Sequence, residues 1–296
     1  MIALWIPPLA FWPYFAGVVV FALGLTTLLR RGELSNAPGL EKALRLGPLI
    51  FAIPIAFFGA EHFIATKDIA TGVPRWIPGH LFWTYLVGTA LLAAALSIAV
   101  KRMSGPAATL LGIMLFCFVV LIHIPRLMAS PGDRIAMAVV LRDLSFSAGA
   151  LALATTRTTE SWRTVAPRVA TAARYVVAVA MLFFAVEHFL HPSFVPVVPL
   201  GLAMPAWIPL HWLWAYGVGA ALLAAGLAMI GNWYARLATT CLGIVVFAVV
   251  LLVYLPILLA HPADIAVSAN YFMDTLMVSG DLLVLASSMR RTAQAV

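Results

Sequence analysis

With 64% hydrophobic and 10% charged residues over 296 positions, and a mean hydropathy of +1.03, the chain lacks the polar surface of a water-soluble globule, in which charged residues make up about a quarter. The formal charge of +7 therefore reads as a membrane-topology signal and not as a nucleic-acid footprint, so no nucleic-acid partner is expected. Cys117 and Cys241 lie inside apolar stretches at unrelated places, which supports neither dithiol chemistry nor a CxxC metal site.

A helix rising 1.5 Å per residue needs roughly 20 apolar residues to cross the hydrocarbon core. By that measure the sequence predicts nine spans, at residues 4–29, 48–65, 80–100, 107–124, 135–154, 175–190, 211–230, 237–255 and 266–288. The expected fold is all-α, a polytopic membrane bundle of one leading helix followed by two parallel four-helix repeats. Residues 1–47 form the leading helix and a loop, 48–156 the first repeat, 157–174 a linker and 175–296 the second repeat. No basic stretch precedes the first apolar run, so it is expected to be a retained helix and not a cleaved signal. Loops after the odd-numbered spans hold 13 Lys and Arg; those on the other side hold four, Lys67, Arg75, Arg126 and Arg134. That asymmetry predicts a cytoplasmic C-terminus and an N-terminus outside. An even number of helices per repeat predicts a pseudo-two-fold axis along the membrane normal.

The repeat is written in the residues. Residues 74–94 and 205–225 share 14 of 21 positions at a constant offset of 131, and Trp76, Ile77, Pro78, His80, Trp83, Tyr85 and Gly88 recur as Trp207, Ile208, Pro209, His211, Trp214, Tyr216 and Gly219. A weaker echo covers residues 5–17, with Leu9 in place of the histidine. Gly88 and Gly219 are expected at close helix contacts, because small residues let backbones approach.

All seven histidines fall near the ends of spans on one predicted side, the outer one. Glu61-His62 in FFGAEHF recurs as Glu187-His188 in FFAVEHF. An intramembrane glutamate is costly and must find a partner inside the bundle. Adjacent residues project about 100° apart, so one of each pair is expected to face a cavity and the other a neighbouring helix. His80 with Trp83, and His211 with Trp214, pair a hydrogen-bonding group with a flat ring one turn later, which suits ligand binding; equally, Trp-Ile-Pro is an entry corner that anchors itself in the headgroups. His123 is replaced by Tyr254 in the second copy, so no metal site is expected. In the last span of each repeat Asp143 matches Asp274; Arg142 beside Asp143 predicts a structural ion pair, whereas Met273 stands beside Asp274 and Asp281 is added. The second repeat therefore reads as the functional one: Glu187, His188 and Asp274 as catalytic proton-exchanging groups without a basic partner, with Glu61, His62, His80, Trp83, His211 and Trp214 binding ligand.

At FFGAEHF, WIPGHLFWTYLVGTALLAA and the Asp-Leu of the fourth helix, the chain resembles the DoxX-like family of small four-helix bacterial membrane proteins, duplicated here with an added helix. The resemblance covers residues 48–154 and 172–288 and implies a multi-pass protein of the bacterial cytoplasmic membrane. Some relatives belong to quinone-linked or thiol-stress oxidoreductase complexes, which implies a quinone-linked redox component. No flavin, haem or cluster motif is seen, so a redox partner subunit is implied. A proton-coupled carrier or ligand-binding membrane protein, and an assembly factor, stay open as alternatives.

Overall fold

The computed structural model describes residues 8–156, 164–198 and 201–289. These fold as helices joined by turns and loops, with one isolated antiparallel bridge between Phe194 and Ala203. In lipid every backbone N–H and C=O must be satisfied within the chain, and apolar runs of this length do so only as helices. The long helices are α1 (Pro8–Arg30), α2 (Glu41–Ile64), α4 (His80–Ala99), α5 (Ser104–Ala129), α6 (Arg134–Thr155), α7 (Ala166–Leu190), α8 (Leu213–Gly231) and α9 (Ala235–Ala260), with a short α3 (Thr66–Ala70) after α2. Those eight long helices are apolar enough to cross a membrane, and the protein is an all-α polytopic membrane bundle. Large apolar side chains such as Phe15, Leu110 and Leu252 point outward, as lipid-facing surface should.

The ninth expected span does not meet that measure of apolarity. α10 (Asn270–Ser288), entered through a wider π-helical turn at Ile265–Ala269, carries Asn270, Asp274 and Asp281. It has little need of apolarity toward lipid, because 13 of its 19 residues are buried among other helices. α7 begins at Ala166, which shortens the expected linker; its residues 157–163 lie outside the described residues, as do Trp5, Ile6 and Pro7 of the N-terminal echo.

Element bounds recur at the sequence offset. Ser104–Phe118, Val119–His123 and Ile124–Ala129 are followed 131 residues later by Ala235–Val249, Val250–Tyr254 and Leu255–Ala260. In both, the middle turn is π-helical and precedes a proline, Pro125 or Pro256, whose missing N–H and ring bulk disfavour the regular ladder. Asp133 and Asp264 also correspond, and each caps the following helix by accepting from backbone N–H groups at 2.9–3.2 Å.

Packing crosses the two units. α2 packs on α4 and α7 on α8, but α2 also lies along α10 and α7 along α6, so the first helix of each unit rests on the last helix of the other. α6 and α10 meet between them, and α1 lies over α2 and α4. Between helices lipid offers no hydrophobic driving force, so close backbone approach and polar ties hold the contact. At Gly280 a Cβ would sit 2.4 Å from the Phe51 backbone nitrogen on α2. Gly280→Ala should therefore separate α10 from α2 and lower stability by about 1–3 kcal/mol, seen as a drop in melting temperature. Gly132→Ala, whose Cβ meets nothing within 4 Å, should melt like the parent. Equal melting temperatures for both variants would refute this account of the contact.

Candidate functional site

A cavity of about 370 Å³ opens among α2, α4, α5, α6 and α10. Its polar wall is Glu61 and His62 from α2, Arg142 and Asp143 from α6, and Asn270, Tyr271 and Asp274 from α10; Phe58, Phe118 and Phe146 contribute rings. Arg142 organises this wall. Its Nε donates to Asp143 Oδ1 at 2.8 Å and its Nη1 to Asp274 Oδ2 at 2.6 Å, tying α6 to α10. His123 Nε2 lies 2.8 Å from Asp143 Oδ2, delivered there by the π-helical turn of α5. Asn270 donates to Glu61 Oε1 at 3.3 Å.

Sequence spacing predicted that only one of Glu61 and His62 faces a cavity. Both line the cavity, which is walled by five helices around the end of α2. His62 Nδ1 lies 2.7 Å from the Phe58 carbonyl, which can only accept, so the proton is on Nδ1 and Nε2 is left as an acceptor. The glycine in α4 permits this placement: a Cβ at Gly88 would sit 2.7 Å from His62 Cβ. Among the described residues Nε2 of His62, Oε2 of Glu61 and Oδ1 of Asp274 hold no hydrogen bond and are not sealed off. Donors also remain on the wall, at Nη2 of Arg142, the second amide hydrogen of Asn270 and the Tyr271 hydroxyl. The three open acceptors suit a molecule that brings hydrogen-bond donors.

The second unit corrects the expectation that its acids lack basic partners. Glu187 Oε2 receives Arg134 Nη1 at 3.2 Å, with His191 Nε2 at 3.8 Å, and Asp274 is held by Arg142 of the first unit. Sequence reading assigned Arg134 to a loop and Arg142 to its neighbour; the crossed packing brings both to the other unit. His188 is 2% exposed: Nδ1 meets the Phe184 carbonyl at 2.6 Å and Nε2 accepts from Val197 N–H at 2.8 Å. Of Glu187, His188 and Asp274, only Asp274 lines the cavity, and it does so beside Glu61 and His62.

His80, Trp83, His211 and Trp214 are not on the cavity wall. Trp83 Nε1 donates to the Pro78 carbonyl at 3.1 Å and Trp214 Nε1 to that of Pro209 at 2.9 Å, while His211 Nε2 lies 3.0 Å from the Pro205 carbonyl. In these bonds Trp83, His211 and Trp214 fasten the Trp-Ile-Pro corners.

Asn270, Tyr271 and Phe118 were not singled out from sequence. Asn270 carried a signal, an uncharged polar group at the head of an apolar helix four residues before Asp274. His123 was set aside because Tyr254 replaces it, yet it lies on Asp143. Among the described residues no group of three or more His, Cys, Asp or Glu is arranged to hold a metal ion. No family model, curated protein or solved structure matches the chain.

Arg142→Met should leave Asp143 and Asp274 buried beside each other without their cation and destabilise the protein by about 3–5 kcal/mol. Adding Asp143→Asn and Asp274→Asn should recover most of the lost melting temperature, and failure to recover would show that Arg142 acts through something other than charge. Glu187→Gln, which weakens a pair with Arg134, should lower melting more than Glu61→Gln, whose partner is the neutral Asn270 amide. Thermal denaturation of the two purified variants compares them directly.

Proposed function

We propose that the chain is a membrane-embedded, quinone-linked redox component whose cavity takes a hydroquinone headgroup and accepts its protons. The observation that carries this reading is the set of three open acceptors on the wall, on Glu61, His62 and Asp274. A quinone offers only carbonyl acceptors and is poorly matched to such a wall, whereas a hydroquinone offers two hydroxyl donors. Phe58, Phe118 and Phe146 supply the apolar ring contacts, and about 370 Å³ falls within the range of small-molecule pockets.

A bound hydroquinone supplies two protons and two electrons on oxidation to the quinone. His62 Nε2 is placed to take a hydroxyl proton, since its Nδ1 proton is anchored on the Phe58 carbonyl and holds the ring in one orientation. Glu61 Oε2 is the second acceptor, steadied through its other oxygen by Asn270. Arg142 keeps Asp143 and Asp274 paired, which leaves His62 and Glu61 as the exchanging groups. The electrons pass to a redox partner subunit, in keeping with the DoxX-like resemblance. In this reading the histidine end of the bundle is the outer one, and the N-terminus lies outside.

A second reading, a proton-coupled carrier, is favoured by Asp281. This residue is fully buried, accepts from Ser145 Oγ at 2.6 Å and has its other oxygen without a partner among the described residues. It stands seven residues, about 10 Å along α10, from Asp274 on the cavity and equally far from Ser288, which lines a 610 Å³ cavity at the opposite end with Arg174 and Arg236. Proton uptake into proteoliposomes that depends on ligand and vanishes in Asp281→Asn would favour this carrier.

The deciding experiment is a titration of purified protein with a short-chain benzohydroquinone kept reduced, and separately with its oxidised form. The reduced form should bind at least tenfold more tightly. His62→Phe and Glu61→Gln should each weaken it at least tenfold, and Glu187→Gln should leave it unchanged. Equal or tighter binding of the oxidised form, or no binding of either, would end this reading.

A further inference from the structure

The two units differ in one insertion. Glu61-His62 and Glu187-His188 are 126 residues apart, while the Trp-Ile-Pro corners are 131 apart, so the connection between them is five residues longer in the second unit. In the first unit the connection runs through α3, which packs on α4 and α2. In the second, residues 194–198 turn inward: Val195, Val197 and Val198 are 0%, 0% and 2% exposed.

One group that this segment touches is the counterpart of His62 on the first cavity, and the other is the counterpart of His123, which holds the cavity residue Asp143. Val197 N–H donates to His188 Nε2, the nitrogen that is open on His62. The Pro196 carbonyl accepts from the Tyr254 hydroxyl, and Tyr254 holds the position of His123. Ser193 and Met204 fasten the base of the segment through a 2.8 Å backbone bond, and the Arg134 guanidinium lies 4.5 Å over the Phe194 ring. Val197 is held at φ +79°, a left-handed conformation that a β-branched residue adopts only when its surroundings impose it.

Burial follows the same pattern. Phe58, His62 and Phe118 are half-buried on the open cavity, whereas their counterparts Phe184, His188 and Val249 are 0%, 2% and 1% exposed.

We infer that residues 194–198 are a built-in occupant of a second binding pocket, so that the second unit is a self-blocked copy of the first cavity, occupied by its own backbone amide. With the segment withdrawn, the pocket would take a small molecule bearing an N–H or O–H donor for His188 Nε2 and an acceptor for the Tyr254 hydroxyl. This does not depend on what the first cavity binds, and access to the pocket can be read without any ligand.

The test is thiol accessibility in full-length protein with Cys117→Ser and Cys241→Ser, since both native thiols are exposed. Single cysteines are placed by Phe118→Cys on the open cavity and by Val249→Cys at the equivalent position of the second unit. Both are reacted with 2-aminoethyl methanethiosulfonate. Phe118→Cys should react at least tenfold faster than Val249→Cys while the segment is intact. Deleting residues 194–198, which gives the second connection the length of the first, should bring Val249→Cys to within a few-fold of Phe118→Cys. Tyr254→Phe, which removes the hydroxyl that anchors Pro196, should speed Val249→Cys several-fold and decides the matter if the deletion variant does not fold. Comparable rates at the two positions with the segment intact would overturn the inference, as would a folded deletion or Tyr254→Phe variant in which Val249→Cys stays unreactive.

Discussion

One guanidinium sets the terms for the rest of the bundle. Arg142 lies between Asp143 on its own helix and Asp274 on α10, at 2.8 and 2.6 Å, with side chains 14–17% exposed. A lone carboxylate at that depth would be expensive, and two facing each other more so. With the guanidinium between them, α6 and α10 can form the shared centre on which α2 and α7 rest. The same tie fixes the floor of the cavity, so stability of the helix contact and the shape of the site depend on one side chain.

Around that centre the two units have diverged by small means. The FF-x-x-EHF helix, the glycine that admits its histidine, the proline-driven π-helical turn and the aspartate cap occur in both. A Cβ at Gly219 would sit 2.9 Å from His188 Cβ, and one at Gly88 would sit 2.7 Å from His62 Cβ. Exchange of His123 for Tyr254, of Arg142 for Met273, and five added residues separate an open polar cavity from a filled one. In the filled unit Glu187 is tied to Arg134, so its acid serves the packing of α7 on α6. In the open unit Glu61 is held only by a neutral amide.

The acceptor-rich wall also bears on what reaches the cavity. Two of the Arg142 nitrogens are committed to carboxylates and His62 has spent its proton on the Phe58 carbonyl, which leaves Glu61, His62 and Asp274 each with an open acceptor. A molecule with hydroxyl or amine hydrogens completes the wall; one with carbonyls alone leaves buried acceptors unpaired, and such omissions weigh more in a low-dielectric interior than the average bond does.

Much of the fold was legible in the chain itself. Apolar runs of membrane-spanning length dictate helices, since lipid leaves the backbone no other way to satisfy its polar groups, and the 131-residue offset marks the elements that recur. The acids and histidines that matter were visible as polar groups in apolar helices. Which of them belong together was not. Pairing depends on α2 lying against α10 and α7 against α6, which brings together residues such as Glu61 and Asn270, 209 positions apart, and Arg134 and Glu187, 53 apart, and no local pattern reports which helix face meets which. Arg142 was read as the neutraliser of the first repeat, and only the crossed packing takes it to Asp274. The five-residue insertion is plain in the sequence, yet a loop and a plug have the same composition there. Only the folded chain decides between them, by burying three valines and placing one backbone N–H on His188.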